Sequence, residues 1–119
     1  RLARRPYPRL VACAERLASD FDWRCAAQAH AGNGIVRVMV EAASPTDEPP
    51  ERVAGLCEGL REEVDGLGGW AMVERAPAAV KELAGVWGRA GPHQKLMASI
   101  KEAFDPAGIL SPGRLPNGR

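Results

Sequence analysis

Apolar side chains recur at helical spacing in four segments of the chain, which predicts four amphipathic helices. Pro8, Pro77 and Pro92 suit the first turns of three of them, because proline lacks the N–H that a first turn leaves unpaired. The glycines within 66–69 end the second helix. The apolar stripes are Leu10, Val11, Ala14, Leu17, Ala18 and Phe21; Val53, Leu56, Cys57, Leu60, Val64 and Leu67; Val80, Leu83, Ala84 and Trp87; and Leu96, Met97, Ile100, Ala103 and Phe104.

Residues that alternate between two faces predict strands at 23–30, 35–42 and 70–76. The first two are separated by a turn rich in Gly and Asn, so we expect an antiparallel hairpin. Helices with one apolar face require a sheet to pack on. The sequence therefore predicts an α+β fold of ferredoxin-like type, with an antiparallel sheet of about three strands and helices on one face. The opposite face mixes Ile35 and Met39 with Arg37 and Glu41, which suits an interface or a ligand wall.

The charge balance argues against polyanionic partners. The 119 residues include 16 basic and 15 acidic side chains, for a formal net charge of +1, without a long run of one sign. Nucleic acid and anionic membranes are therefore disfavoured as partners, and the apolar runs are too short to span a bilayer. Arg1 is not a translation start, so we expect the chain to be a fragment or a processed product.

The cysteines do not form a pattern that predicts chemistry. Cys13, Cys25 and Cys57 are odd in number and widely spaced, whereas metal and redox sites favour close pairs and secreted disulfide scaffolds favour an even count. We expect buried free thiols in a cytoplasmic protein. Nor do we expect a catalytic residue, because the acidic side chains near 62–65 lie on a helix and point in different directions. The chain also lacks a glycine-rich phosphate loop and a nucleophile elbow.

The segment 30–34, His-Ala-Gly-Asn-Gly, has two interpretations. A hairpin needs Gly and Asn for its turn whatever the function. Alternatively, small residues beside an imidazole allow a ligand to approach closely. Arg37 has two interpretations as well. Its guanidinium can bind a ligand carboxylate through two hydrogen bonds. Alternatively, it can pair with Glu41 or another surface acid, which is the commoner arrangement.

Residues 104–114, Phe-Asp-Pro-Ala-Gly-Ile-Leu-Ser-Pro-Gly-Arg, carry apolar side chains and a cation away from the last helix, as expected of a segment that docks on another surface. The segment resembles the carboxy-terminal signature of FAD-linked oxidases of the vanillyl-alcohol oxidase type, Phe-Asp-Pro-x-Gly-x-x-Asn-Pro-Gly-Arg, with Ser111 in place of Asn. The resemblance implies that this tail returns from a cap domain to the FAD-binding domain. The residues implied in that docking are Asp105, Pro106, Ser111, Pro112, Gly113 and Arg114.

The hairpin segment resembles part of the cap domain in the glycolate and D-lactate dehydrogenase branch of these oxidases. There, His-x-Gly-Asp-Gly-Asn-x-His runs beside the flavin, and its two histidines help to hold a divalent metal in some members. His30, Gly32 and Gly34 match this pattern, whereas Asn33, Ile35 and Arg37 stand in place of Asp, Asn and the second His. Arginine repels a cation instead of binding it, so we expect no metal site here.

The substitutions resemble instead the smaller FAD-binding subunit of glycolate oxidase, whose cap segments are similar to His-Ala-Gly-x-Gly and, at 68–77, to Gly-Gly-x-x-x-x-x-Arg-Ala-Pro. Together with the tail, the resemblance touches three places between residues 23 and 114. It implies the cap of an FAD-dependent 2-hydroxy-acid oxidoreductase, which covers the flavin and shapes the substrate cavity. The residues implied to lie near substrate and flavin are His30, Gly32, Asn33, Gly34 and Arg37.

The same resemblance implies the organisation of the protein. Residues 1–104 would be a cap fragment and 105–119 the tail that returns to a missing FAD-binding domain, which would hold FAD. We expect the fragment alone to be inactive, flavin and iron–sulfur subunits to be its partners, and its location to be cytoplasmic, with peripheral attachment to the inner membrane through those subunits. Two alternatives stay open: a stand-alone ferredoxin-like module for small-ligand binding or dimerisation, and a domain that only contacts other subunits.

Overall fold

The computed structural model describes residues 6–30, 32–44, 48–89 and 91–115. Within these ranges the chain forms four α-helices and one two-stranded antiparallel sheet, which confirms the α+β class. The elements are α1 (Pro6–Ser19), β1 (Arg24–His30), β2 (Ile35–Glu41), α2 (Pro50–Gly66), α3 (Ala78–Ala84) and α4 (Pro92–Phe104). They divide into two units, Arg1–Gly88 and Arg89–Arg119.

The predicted third strand is wrong. In the described part of the chain the sheet has two strands, and residues 70–76 are irregular. The backbone N–H of Val73 bonds to the carbonyl of Val86 at 2.9 Å, so this segment pairs once with the chain after α3 and not with the hairpin. An alternating pattern makes a strand only where a neighbouring strand supplies a ladder of hydrogen bonds.

The third helix is shorter than predicted. It ends at Ala84 and not at Trp87, because Gly85 adopts a left-handed φ of 67° that cannot continue a helix. Farther along, Gly88 has a φ of 74°, and a Cβ at this position would lie 2.5 Å from the carbonyl oxygen of Ala71. Only glycine fits at position 88 without a shift of the backbone.

The core of the first unit is formed by side chains from α1, from α2 and from one face of the hairpin, which α1 covers. Ala18, Trp23 and Leu56 are its buried members. Gly59 allows the two helices to approach closely, since a Cβ there would lie 3.2 Å from Leu17 Cδ1. Partly buried side chains surround this cluster: Leu17, Phe21, Cys25, Val40, Ala42, Val53 and Leu60.

A buried arginine connects α2 to the end of α3. Arg61 is 5% exposed, and its Nη2 donates to the carbonyl of Gly85 at 2.6 Å, while Nη1 donates to that of Ala84. The last carbonyls of a helix have no partner within the helix and carry partial negative charge, so a cation placed there stabilises the helix end. Val80 on α3 is buried as well.

The second unit consists of α4 and the tail. The predicted apolar stripe of α4 is present, but Leu96, Ile100 and Phe104 are exposed. Ile109 and Leu110 of the tail are exposed as well. The tail begins at Asp105, which is buried although the residues on either side of it are not.

Candidate functional site

The register of the hairpin decides which strand residues share a face. His30 lies opposite Ile35, and Gln28 lies opposite Arg37. Directly opposed residues of an antiparallel pair point to the same side, and the side alternates along the strand. Cys25 and its partner Val40 pack against the core, so the set that contains His30 and Arg37 faces away from it.

Arg37 is half-exposed on this outer face. Its Nε donates to Glu74 Oε2 at 3.2 Å, which places one residue of the irregular segment 70–76 beside β2. Glu41, the partner considered from the sequence, pairs with Arg24 at 2.8 Å instead. No hydrogen bond between a described residue and the Nη nitrogens of Arg37 is present, so the end of the guanidinium is available to a ligand.

The outer face also contains residues that the sequence interpretation missed. Gln28 lies directly across from Arg37, and the alternation of β1 could have placed it there once the turn had set the register. Glu74 could not be found in this way, because its position depends on an irregular segment. The outer face thus combines an imidazole, a carboxamide and a guanidinium with apolar Ile35 and Met39, which are about half-exposed.

The hairpin turn closes on His30. The N–H groups of Asn33 and Gly34 both lie within hydrogen-bond distance of the His30 carbonyl, at 3.2 and 3.1 Å. Gly34 has a φ of 78°, which requires glycine, whereas a Cβ at Gly32 would meet no atom within 4 Å. Ala31 lies outside the described residues. The turn therefore explains Gly34 structurally, while Gly32 leaves open space that a close-lying ligand could use.

The tail residues implied in docking form two consecutive turns. Asp105 is buried and Pro106 is exposed in the first. In the second, the N–H of Arg114 bonds to the carbonyl of Ser111 at 3.2 Å, across Pro112 and Gly113. Ser111 has a φ of 47°, a left-handed conformation that Asn tolerates better than Ser. This conformation explains why an asparagine suits the same position in the resembled signature.

The three thiols show no sign of reactivity. Cys13 is buried, Cys25 and Cys57 are half-buried, and all are free. Burial raises the pKa of the Cys25 and Cys57 thiols, so both remain protonated at neutral pH. Among the described residues, no group of three or more His, Cys, Asp or Glu side chains could hold a metal ion.

A family model described as "FAD linked oxidases, C-terminal domain" matches residues 4–115. The chain belongs to this family. No curated protein and no solved structure matches it significantly. The resemblance inferred from the sequence is thus confirmed at the level of the family, which implies an FAD-dependent oxidoreductase in the intact protein. Over the described residues, no helix is both long enough and apolar enough to cross a membrane.

The outer face of the hairpin has the chemistry that one wall of a flavin site would need. The outer hairpin face offers exposed Ile35 and Met39 to a flat aromatic ring and places polar groups beside them. The sequence has no glycine-rich loop that could hold the phosphates of FAD. The chemistry of the outer face would therefore suit contact with the flavin ring.

Proposed function

We propose that this domain is the cap of an FAD-dependent 2-hydroxy-acid oxidoreductase of glycolate oxidase type, in which it covers the flavin ring and forms a wall of the substrate cavity. One observation carries the proposal: His30, Gln28 and Arg37 lie together on the exposed face of the hairpin. Bound FAD would supply the acceptor for the hydride of the 2-hydroxy acid. The residues of the domain orient the substrate.

Arg37 is the residue suited to the substrate carboxylate. Its planar guanidinium can donate two parallel hydrogen bonds from its Nη edge. Glu74 at Nε holds the group from one side and leaves that edge for a ligand. A lysine would supply charge but not this fixed geometry, so the arrangement favours a planar anion.

His30 and Gln28 would contact the remaining polar atoms of the substrate. An imidazole carries two nitrogens that can donate or accept, and a carboxamide does both. His30 is therefore suited to bond the 2-hydroxyl group, and Gln28 is suited to bond the carboxylate beside Arg37. Both side chains are exposed in the domain, as expected of groups that a substrate and a second domain would cover.

The partners remain part of the same proposal. The tail residues Asp105, Pro106, Ser111, Pro112, Gly113 and Arg114 would dock on the FAD-binding domain. Flavin and iron–sulfur subunits would receive the electrons, in a cytoplasmic complex attached peripherally to the inner membrane. The family match supports an oxidoreductase over a stand-alone ligand-binding module.

The substrate class can be tested on the intact flavoprotein by anaerobic mixing with candidate substrates while the flavin absorbance is followed. We expect glycolate or D-lactate to bleach the flavin, because each offers a carboxylate to Arg37 and a 2-hydroxyl group to His30. Ethylene glycol is the matched control, since it has a neutral CH2OH group in place of the carboxylate of glycolate, and it should leave the flavin oxidised. Bleaching by vanillyl alcohol and not by either acid would contradict the proposal.

A further inference from the structure

The carboxylate of Asp105 is buried inside an otherwise exposed tail. Its side chain is 4% exposed, whereas Phe104 before it is 83% exposed and Ile109 after it is 75% exposed. The usual pattern of burial is thus reversed here: the charged carboxylate of Asp105 is buried, and the neighbouring apolar side chains are exposed. The apolar side chains therefore do not close this turn.

Hydrogen bonds to the carboxylate of Asp105 close the turn at the start of the tail instead. Oδ1 accepts the N–H of Ile109 at 3.0 Å, and Oδ2 accepts the N–H of Leu110 at 2.9 Å. Lys101 Nζ, one helical turn earlier on α4, donates both to Asp105 Oδ2 and to the carbonyl of Leu110. Gly108 permits the reversal with a φ of 65°, and its N–H bonds to the Asp105 carbonyl at 3.0 Å.

We propose that Asp105 and Lys101 form a polar latch that folds residues 105–110 back on the end of α4, so that the tail has its shape before it meets any partner. Asp105 is then a positioning residue: it fixes Ile109 and Leu110 and sets the direction in which the turn at 111–114 leaves the helix. The latch is independent of the proposed substrate and cofactor, because every contact that forms it lies within the second unit.

The hydrogen bonds of the latch favour the ionised form of the Asp105 carboxyl group. The hydrogen bond from Lys101 above all, with the N–H groups of Leu110 and Ile109, holds the pKa of Asp105 below its usual 3.8. Lys101 is the one ionisable group, among the described residues, that acts on it. A folded pKa below the unfolded value means that the latch is at full strength above pH 3.8 and opens as the pH falls through the lowered pKa.

Amide hydrogen exchange in the 119-residue chain tests the latch. Ile109 and Leu110 should be protected although their side chains are exposed. Asp105→Asn and Lys101→Met should each speed their exchange about tenfold or more, since charge-assisted bonds are lost. Lys101→Arg should keep most of the protection. Glu102→Gln, which removes an exposed carboxylate on the same helix, is the matched control and should change nothing.

Two results would overturn the proposal. One is exchange of Ile109 and Leu110 at unprotected rates in the unmodified chain. The other is an Asp105→Asn variant whose amides at Ser99 and Ile100 lose as much protection as those of the tail, because Asp105 would then act as a helix cap and not as a latch. Faster exchange confined to Ile109 and Leu110 supports it.

Discussion

Replacing Leu56 by alanine is expected to lower the free energy of unfolding of the first unit by about 2–5 kcal/mol. Leu56 is 2% exposed and lies with Ala18 and Trp23 at the centre of the core. Its truncation removes apolar contacts from both neighbours and leaves a cavity that the helices can fill only in part. Urea unfolding followed by tryptophan fluorescence measures the change, because Trp23 lies beside the altered position.

Leu83→Ala is the matched control for this effect. Leu83 on α3 is 56% exposed, so the same deletion should change the free energy of unfolding by only about 0.5 kcal/mol. Equal losses for the two variants would show that Leu56 is not in the core that the structure describes.

Replacing Arg61 by alanine is expected to cost about 2–4 kcal/mol of stability. The substitution removes two hydrogen bonds to the carbonyls of Ala84 and Gly85 and takes a cation from the end of α3. It also removes the aliphatic part of the side chain, which is buried with the rest of Arg61. Arg61→Lys should fall between wild type and alanine, since an ammonium group does not reproduce the planar fork. The same urea unfolding experiment provides the measurement.

Arg24→Ala is the control that distinguishes the link made by Arg61 between α2 and α3 from a general effect of losing an arginine. Arg24 pairs with Glu41 at 2.8 Å, but its side chain is 81% exposed. Exposed ion pairs contribute little, so we expect a change below about 1 kcal/mol. If Arg61→Ala were no more destabilising than Arg24→Ala, the link between α2 and α3 would not contribute to stability.

The spacing of apolar residues and the turn sequences predicted the helices and the hairpin, because these elements depend mainly on residues near one another in the chain. The helical stripes predicted four helices, and alternation with a Gly-Asn-Gly turn predicted the hairpin to within a residue or two. The segment 70–76 also alternates, but a strand depends on a partner that pattern does not reveal. Arg61 shows the same limit: its position on α2 was clear, but charged side chains are almost always exposed, and nothing in the sequence marks this one as buried.

The candidate site was predictable only where it lies on the two strands of the hairpin. Alternation and the turn together place His30 and Arg37 on one face, because a hairpin register follows from its turn. The pairing of Arg37 with Glu74 depends on the course of an irregular segment, so only the structure reveals it. The tail motif identified the family, but the burial of Asp105 was not predictable, since its hydrogen-bond partners are backbone groups that any residues could supply.

The proposed role of the outer hairpin face in substrate binding depends above all on Arg37. The decisive measurement is the KM for the 2-hydroxy acid in the intact oxidase with Arg37→Ala, compared with Arg24→Ala on the same face of the hairpin. We expect Arg37→Ala to raise KM by about 10- to 100-fold with a smaller change in kcat, as for the loss of charge-assisted bonds to a carboxylate, and Arg24→Ala to leave both unchanged. Equal effects of the two substitutions, or an unchanged KM in Arg37→Ala, would contradict the proposal that Arg37 on the outer hairpin face binds the substrate carboxylate.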